Sequence, residues 1–187
     1  MDLNMPEKIE KTTTEDGSIE WRLKGELHRE DGPAVEQSDG TKGWFKNGKQ
    51  HRLDGPAVEH LDGTREWWVD GKLHREDGPA VMEPDGTQEW HQNGAYHRED
   101  GPAVVRYDGV KQWWVNGERH REGGPAFVED DEMSQWWVND KLHREDGPAI
   151  EYEDGSKEWF LLGVATTEEV VMDAAGRKAF CEKLKLK

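Results

Sequence analysis

Trp67-Trp68-Val69-Asp70-Gly71-Lys72-Leu73-His74-Arg75-Glu76-Asp77-Gly78-Pro79-Ala80-Val81-Met82-Glu83-Pro84-Asp85-Gly86-Thr87-Gln88-Glu89 is one full period of this chain. Outward from it, the histidine recurs at His28, His51, His74, His97, His120 and His143, a constant spacing of 23 residues with no insertion or deletion. Each opens a block His-Arg-x-Asp-Gly-Pro-Ala that ends on an apolar residue: Val35, Val58, Val81, Val104, Phe127 or Ile150. Only Gly123 departs, standing where the other blocks have Asp. A tryptophan column keeps the same period at Trp21, Trp44, Trp67, Trp90, Trp113, Trp136 and Trp159. A fixed period of this length is the signature of a tandem array, in which neighbouring units bury the surface that one unit alone cannot.

Two turn signals lie in each period. Asp-Gly stands at 39-40, 62-63, 85-86, 108-109 and 154-155, and Asn-Gly or Asp-Gly at 47-48, 70-71, 93-94 and 116-117. Such dipeptides accept positive φ and mark tight hairpins. If Asp39-Gly40 is a two-residue loop, Val35 faces Trp44 and Ala34 faces Phe45, and the same count pairs Val58 with Trp67, Val104 with Trp113, Phe127 with Trp136 and Ile150 with Trp159. One face then reads as structural. The other pairs an unvarying Ala with a varied column: Arg22, Phe45, Trp68, His91, Trp114, Trp137 and Phe160. The residues from Asn47 to Gly55 cannot continue a straight strand without shifting every hairpin out of register, so the His-Arg-x-Asp-Gly-Pro block must be a compact connection. Proline, which donates nothing to a ladder, fits there. The expected fold is all-β: an elongated, twisted, open antiparallel sheet of tandem β-hairpin repeats, two strands per unit, advancing roughly 9 to 10 Å per repeat.

Bulk properties narrow the function classes. Hydrophobic residues make up only 33% of the 187, which argues against one thick core, and ten Trp outnumber the four Phe and three Tyr together. The 41 acidic against 25 basic residues give a formal charge of −16. That balance disfavours direct nucleic-acid or membrane binding and favours a partner with a basic surface. The single cysteine, Cys181, can form no internal disulfide, and the start of the chain has neither a basic segment nor an apolar run. The expected location is cytoplasmic.

The stretch Trp68-Val69-Asp70-Gly71-Lys72-Leu73-His74, with Asp62-Gly63 as the turn before it, is similar to the MORN repeat, whose unit carries Trp, then Asn-Gly, then His and Gly, then Asp-Gly. The likeness spans about Asp16 to Gly163 and is nearer to bacterial and viral variants, including proteins grouped with bacterial antitoxins, than to the eukaryotic form. Arg follows His where the family usually has Gly, and Gly-Pro-Ala replaces its second Gly segment. What the resemblance implies is the family fold and an interaction module with no catalytic residue to transfer. Lipid binding, proposed for eukaryotic members, conflicts with the acidic charge.

The fifth unit keeps its length but loses its turn signals: Glu122-Gly123-Gly124 replaces Glu-Asp-Gly, Asp131-Glu132 replaces Asp-Gly and Asn139-Asp140 replaces Asn-Gly. Either this is drift in a tolerant array, or Glu129, Asp130, Asp131 and Glu132 form an acidic loop that contacts a partner. Three segments follow from the period: a polar, frayed N-terminal stretch over 1–14, the hairpin array over 15–163, and a C-terminal helix over 164–187. Thr166 and Glu169 have capping-box spacing, and the helix caps the last hairpin or serves as a dimerisation or partner helix.

Regularly spaced histidines invite a metal reading, but adjacent units lie too far apart to share an ion, and one His with one Asp per unit is an incomplete ligand set. Structural roles are the better expectation, with His and Asp satisfying connection backbone groups and Arg pairing with acids or stacking on Trp. No nucleophile elbow, phosphate loop or zinc signature occurs, so neither an enzyme nor a cofactor is expected. The leading expectation is a scaffold that binds a protein partner, with Phe45, Trp68, His91, Trp114, Trp137 and Phe160 as anchors and Glu129, Asp130, Asp131 and Glu132 steering. In its sharper form it is an inhibitor of antitoxin, immunity or anti-defence type that occupies a basic nucleic-acid-binding cleft. Two other classes stay open: a glycan, choline or nucleotide module on the Trp columns, and an element that self-associates through sheet edges or the C-terminal helix.

Overall fold

The structure is a computed structural model that describes residues 8–130 and 132–185. The chain forms two compact units, one up to Ala95 and one from Tyr96. In the first, strands Glu10–Thr13, Ile19–Leu23, Val35–Glu36, Lys42–Gly43, Val58–Glu59, Arg65–Glu66, Val81–Met82 and Gln88–Glu89 lie side by side in chain order, all neighbours antiparallel. In the second, Val104–Val105, Lys111–Gln112, Phe127–Glu129, Met133–Gln135, Ile150–Tyr152 and Lys157–Glu158 repeat that order. Each unit is thus an open antiparallel sheet of hairpins.

Each repeat contributes two strands to this ladder, as the turn spacing predicts, and adds a second hairpin off it. Phe45–Lys46 pairs with Lys49–Gln50, Trp68–Val69 with Lys72–Leu73, Trp114–Val115 with Glu118–Arg119, and Trp137–Val138 with Lys141–Leu142. Their turns hold two successive positive-φ residues, such as Asn47 (50°) and Gly48 (74°), the geometry that matches strand twist. The series is longer than the Asn-Gly signal suggests, because Lys24-Gly25 and Leu162-Gly163 make the same turn. Successive outer hairpins are tied by backbone bonds: Gly71 N–H donates to the Gln50 carbonyl (2.9 Å) and Arg52 N–H to the Trp68 carbonyl (3.1 Å), with equivalents along each unit.

The ladder turns are one residue longer than a two-residue loop, and this overturns the predicted register. Gly40 N–H donates to the Gln37 carbonyl at 2.9 Å, and only the glycine of the Asp-Gly pair has positive φ, at 94°. Asp39 instead accepts the Thr41 N–H through its carboxylate at 2.8 Å, a local bond that Asp62 and Asp85 repeat with Thr64 and Thr87. Val35 therefore faces Gly43 rather than Trp44, Val58 faces Glu66, Val104 faces Gln112, Phe127 faces Gln135 and Ile150 faces Glu158. A slip of one residue exchanges the faces. The Val column shares its side with the varied ring column, and the Ala column shares the other with the repeating Trp. Ala34, Ala57, Ala80, Ala103, Ala126 and Ala149 are fully buried there.

On that buried side the His-Arg-x-Asp-Gly-Pro connection folds around its arginine. The guanidinium of Arg29 lies 4.1 Å from the Trp21 ring centre, Arg52 4.2 Å from Trp44, Arg75 4.1 Å from Trp67, Arg121 3.9 Å from Trp113 and Arg144 3.9 Å from Trp136. In each Asp-containing connection the arginine Nε donates to the Asp carboxylate, as in Arg75 to Asp77 at 2.8 Å, and Nη1 reaches the proline carbonyl, as in Arg75 to Pro79 at 3.3 Å. The glycine after Asp is required by space rather than by φ: a Cβ on Gly78 would meet Arg75 Cζ at 3.0 Å, and one on Gly147 would meet Arg144 Cζ at 2.6 Å.

Both ends differ from the sequence reading. Glu10–Thr13, expected to fray, form a strand paired from Glu10↔Arg22 to Thr13↔Ile19, because the Gly17 turn offers them a ladder although all four side chains are exposed. At the other end the hairpin runs on to Val164–Ala165, past the expected boundary at Gly163. Thr166 stands 23 residues after His143 and repeats its backbone bond, donating to the Trp159 carbonyl at 2.8 Å. The helix cap is therefore Thr167, whose hydroxyl accepts the Val170 N–H, and not Thr166. Helix α1 (Glu168–Met172) stops at Asp173, whose carboxylate then caps α2 (Ala174–Lys185) by accepting the Gly176 N–H at 2.7 Å. Val171 on α1 and Leu161 on the last hairpin are fully buried.

Gly147→Ala is expected to push Arg144 off Trp136 and cost on the order of 1 to 2 kcal/mol in urea unfolding. In an Arg144→Ala background the same substitution should cost almost nothing, which a double-mutant cycle measures.

Candidate functional site

The predicted anchors share a column but lie partly inside the repeat. Phe45, Trp68, Trp114, Trp137 and Phe160 are half-buried, and His91 is only 5% exposed. The indole N–H groups and the His91 Nε2 are engaged by the residue two positions earlier on the same strand side. Trp68 Nε1 donates to Glu66 at 2.7 Å, Trp114 Nε1 to Gln112 at 3.2 Å and Trp137 Nε1 to Gln135 at 2.9 Å, while His91 Nε2 lies 3.0 Å from Glu89. Phe45 has no polar atom to satisfy, and there the earlier residue is Gly43, whose Cβ would meet the Phe45 ring at 2.7 Å. At Phe160 the preceding Glu158 takes the Tyr152 hydroxyl instead, at 2.8 Å. The variation in this column is thus matched residue by residue within the fold.

In the second unit the column closes on a cation. Arg119 Cζ lies 4.9 Å from the Trp114 ring centre, 5.4 Å from Trp137 and 5.6 Å from Phe127. The acidic loop of the fifth repeat sits at the ladder turns. Glu129 is half-buried and pairs with Met133, while Asp130 and Glu132 are exposed. Asp131 lies outside the described residues. The Asp130 carboxylate rests against Gly109 of the preceding turn, and Glu132 offers its carbonyl to the Glu153 N–H at 2.8 Å.

A second set of exposed charges lies on the connections. Glu30, Glu76 and Glu99 side chains are 82%, 87% and 85% exposed. Beside them Asp31, Asp77 and Asp100 are equally open, and their arginines, by hydrogen bond and then by charge, hold these carboxyls below the usual carboxylate range, as also at Asp54 and Asp146. Two connections break the pattern, with an exposed Leu53 in place of Glu and Gly123 in place of Asp. Successive connections flank clefts that repeat with the period. One of about 630 Å³ has Asp31, Trp44 and Arg52 in its walls, one of about 710 Å³ has Asp54, Trp67 and Arg75, and one of about 1070 Å³ has Asp100, Trp113 and Arg121. These residues stood in the sequence as the most regular motif, and regularity made them read as structure only. The signal for a surface role was the Glu at the variable position, present in five of six blocks.

The histidines serve the backbone. In all six, Nδ1 accepts the N–H of the outer turn one repeat on: His28 from Asn47 (3.1 Å), His51 from Asp70 (3.2 Å), His74 from Asn93 (3.1 Å), His97 from Asn116 (3.2 Å), His120 from Asn139 (3.3 Å) and His143 from Leu162 (3.2 Å). Among the described residues no group of three or more His, Cys, Asp or Glu gathers as a metal site. No helix among them is long and apolar enough to cross a membrane. No family model and no curated protein matches the chain.

Trp68→Ala should lower stability by about 2 kcal/mol, because it empties half-buried volume and takes from Glu66 the indole N–H, leaving only the His60 ring beside it. An unfolding curve that does not move would return this ring to a purely surface role.

Proposed function

We propose that this protein is a non-catalytic repeat scaffold that binds a protein partner through a basic surface of that partner. The observation that carries the reading is the row of exposed carboxylate pairs on the connections of each unit, the aspartate of each pair held ionised by the arginine beneath it, bordering clefts with tryptophan in their walls. Carboxylates held at a fixed spacing on an ordered sheet attract and orient a cationic surface at little entropic cost, since the arginines already restrain the aspartates. The net charge of −16 adds long-range steering. The MORN-like repeat pattern supports a scaffold of this kind. In its sharper form the scaffold is an inhibitor that covers the basic cleft of a nucleic-acid-binding protein.

The ring column enters this reading as a support more than as a set of anchors, because its N–H groups are already used within the repeat. A glycan, choline or nucleotide module would use the Trp faces in the clefts, yet Arg52, Arg75 and Arg121 already cover one face of Trp44, Trp67 and Trp113 at about 4 Å. That favours a protein partner over stacking of a small ligand.

Titration with an arginine-rich peptide tests the charge and the place together. Glu30→Gln, Glu76→Gln and Glu99→Gln combined should weaken binding roughly tenfold at low salt, and raised salt should weaken the parent protein likewise. Glu168→Gln, Glu169→Gln and Glu182→Gln make the same change in net charge away from the connections and should leave binding within about twofold. Equal losses from both triples would reduce the effect to bulk charge and overturn the connections as the site.

A further inference from the structure

The last histidine of the series differs from the other five in its partner. Asn47, Asp70, Asn93, Asn116 and Asn139 each carry a side-chain oxygen next to the backbone N–H that the histidine accepts. That oxygen lies 2.8 Å from Nδ1 at His28, 3.0 Å at His51 and 2.9 Å at His120. A ring that gains a proton on Nδ1 loses its role as acceptor, but at these positions it can turn donor to the nearby oxygen. His143 faces Leu162, which has none. A proton there sets one N–H against another.

His143 also stands where the C-terminal helices are fastened. Arg177 of α2 donates through Nη1 to the carbonyls of Glu145 (2.9 Å) and Val171 (2.6 Å), and its Nε lies 3.5 Å from the Glu145 carboxylate. The same carboxylate lies 3.6 Å from Nε2 of His143. Two charged groups therefore face the ring, Glu145 from its own connection and Arg177 from the helix; the Leu162 turn brings no titratable group. A protonated ring competes with Arg177 for Glu145 and repels Arg177 directly.

We propose that His143 is a proton-operated latch: its protonation releases the Leu162-Gly163 hairpin and the Arg177 tie, so that α1 and α2 come away while the preceding repeats stay folded. Burial, with Arg177 in support and Glu145 in opposition, holds the ring below the ordinary histidine value of 6.5. The folded state thus binds the proton less readily than the released one. Attachment is complete above pH 6.5 and is lost as pH falls below it. The aspartates paired with arginine act in the same direction but only below the carboxylate range, so the two effects occupy separate windows.

Cys181 on α2 is the only cysteine of the chain and gives a single position for a spin label on the full-length protein. From pH 7.5 to 5.5 the mobile fraction of the label should rise no more steeply than about tenfold per pH unit, the limit for one proton. Amide exchange in residues 168–180, corrected for intrinsic pH dependence, should lose protection over the same range while Val58–Glu59 and Val104–Val105 keep theirs. Leu162→Asn gives the last turn the side-chain oxygen the others have and suits the positive φ of 52° there. This variant should keep the helices attached at both pH values. A label that stays immobile to pH 5.5, a Leu162→Asn protein that responds like the parent, or loss of the whole array in the same range would each overturn the latch.

Discussion

The arginine that lies on the repeating tryptophan, as at Trp21, Trp44, Trp67, Trp113 and Trp136, is the contact on which the rest of the structure depends. It lets a connection of seven residues, 74–80 in the third block, turn back onto the ladder without a hydrophobic plug: the aliphatic stem and guanidinium plane cover the indole, Nε closes on Asp, and Nη1 closes on the proline carbonyl. A lysine could supply the charge but not the planar fork that makes these contacts together. The same contact explains why Gly follows Asp, since the guanidinium occupies the space a Cβ would need. It also explains why Ala is the only residue found beneath: the connection and the indole leave it with no exposed surface in any of the six copies.

From that clamp the two rows of each unit follow. With the connection compact, the outer hairpin of one repeat reaches the next, and the Arg N–H and the turn Gly N–H make the bonds that pass from repeat to repeat within each unit. Histidine completes the joint by accepting one more turn N–H. Three backbone donors per repeat are thereby satisfied across a junction that buries little apolar area, which suits a chain with only 33% hydrophobic residues. The cost of such a design is sensitivity where a joint lacks its usual residue, and the last histidine, set against Leu162 and Arg177, is that place.

The surface that results is charged by construction. The aspartate that closes the clamp must point outward, and the variable residue before it points outward with it, so every intact connection exposes a carboxylate fixed by an arginine. In the proposed function, the residues that stabilise the connection are the same ones that meet the partner. The varied rings, by contrast, are accommodated inside the repeat, each with an acceptor or a glycine two residues earlier to suit it.

By itself the sequence determined the repeat, its period, the two turns per unit, the all-β antiparallel class and the compact arginine-bearing connection, because each rests on local chemistry: Gly and Asn at positive φ, Pro without a donor, an unbroken spacing. It determined less at the ends, where Lys24-Gly25 and Leu162-Gly163 turn as Asn-Gly does and where the helix cap falls on Thr167 rather than its neighbour Thr166. Only the tertiary structure decided the register. An Asp-Gly pair allows a loop of two or three residues, and the choice depends on whether the Asp carboxylate finds the N–H two residues on, as Asp39 finds that of Thr41. That one residue carries the valines to the side of the varied rings and the alanines to the side of the tryptophans. With it, the column that looked outward in the sequence became half interior, and the connections that looked merely structural became the exposed face.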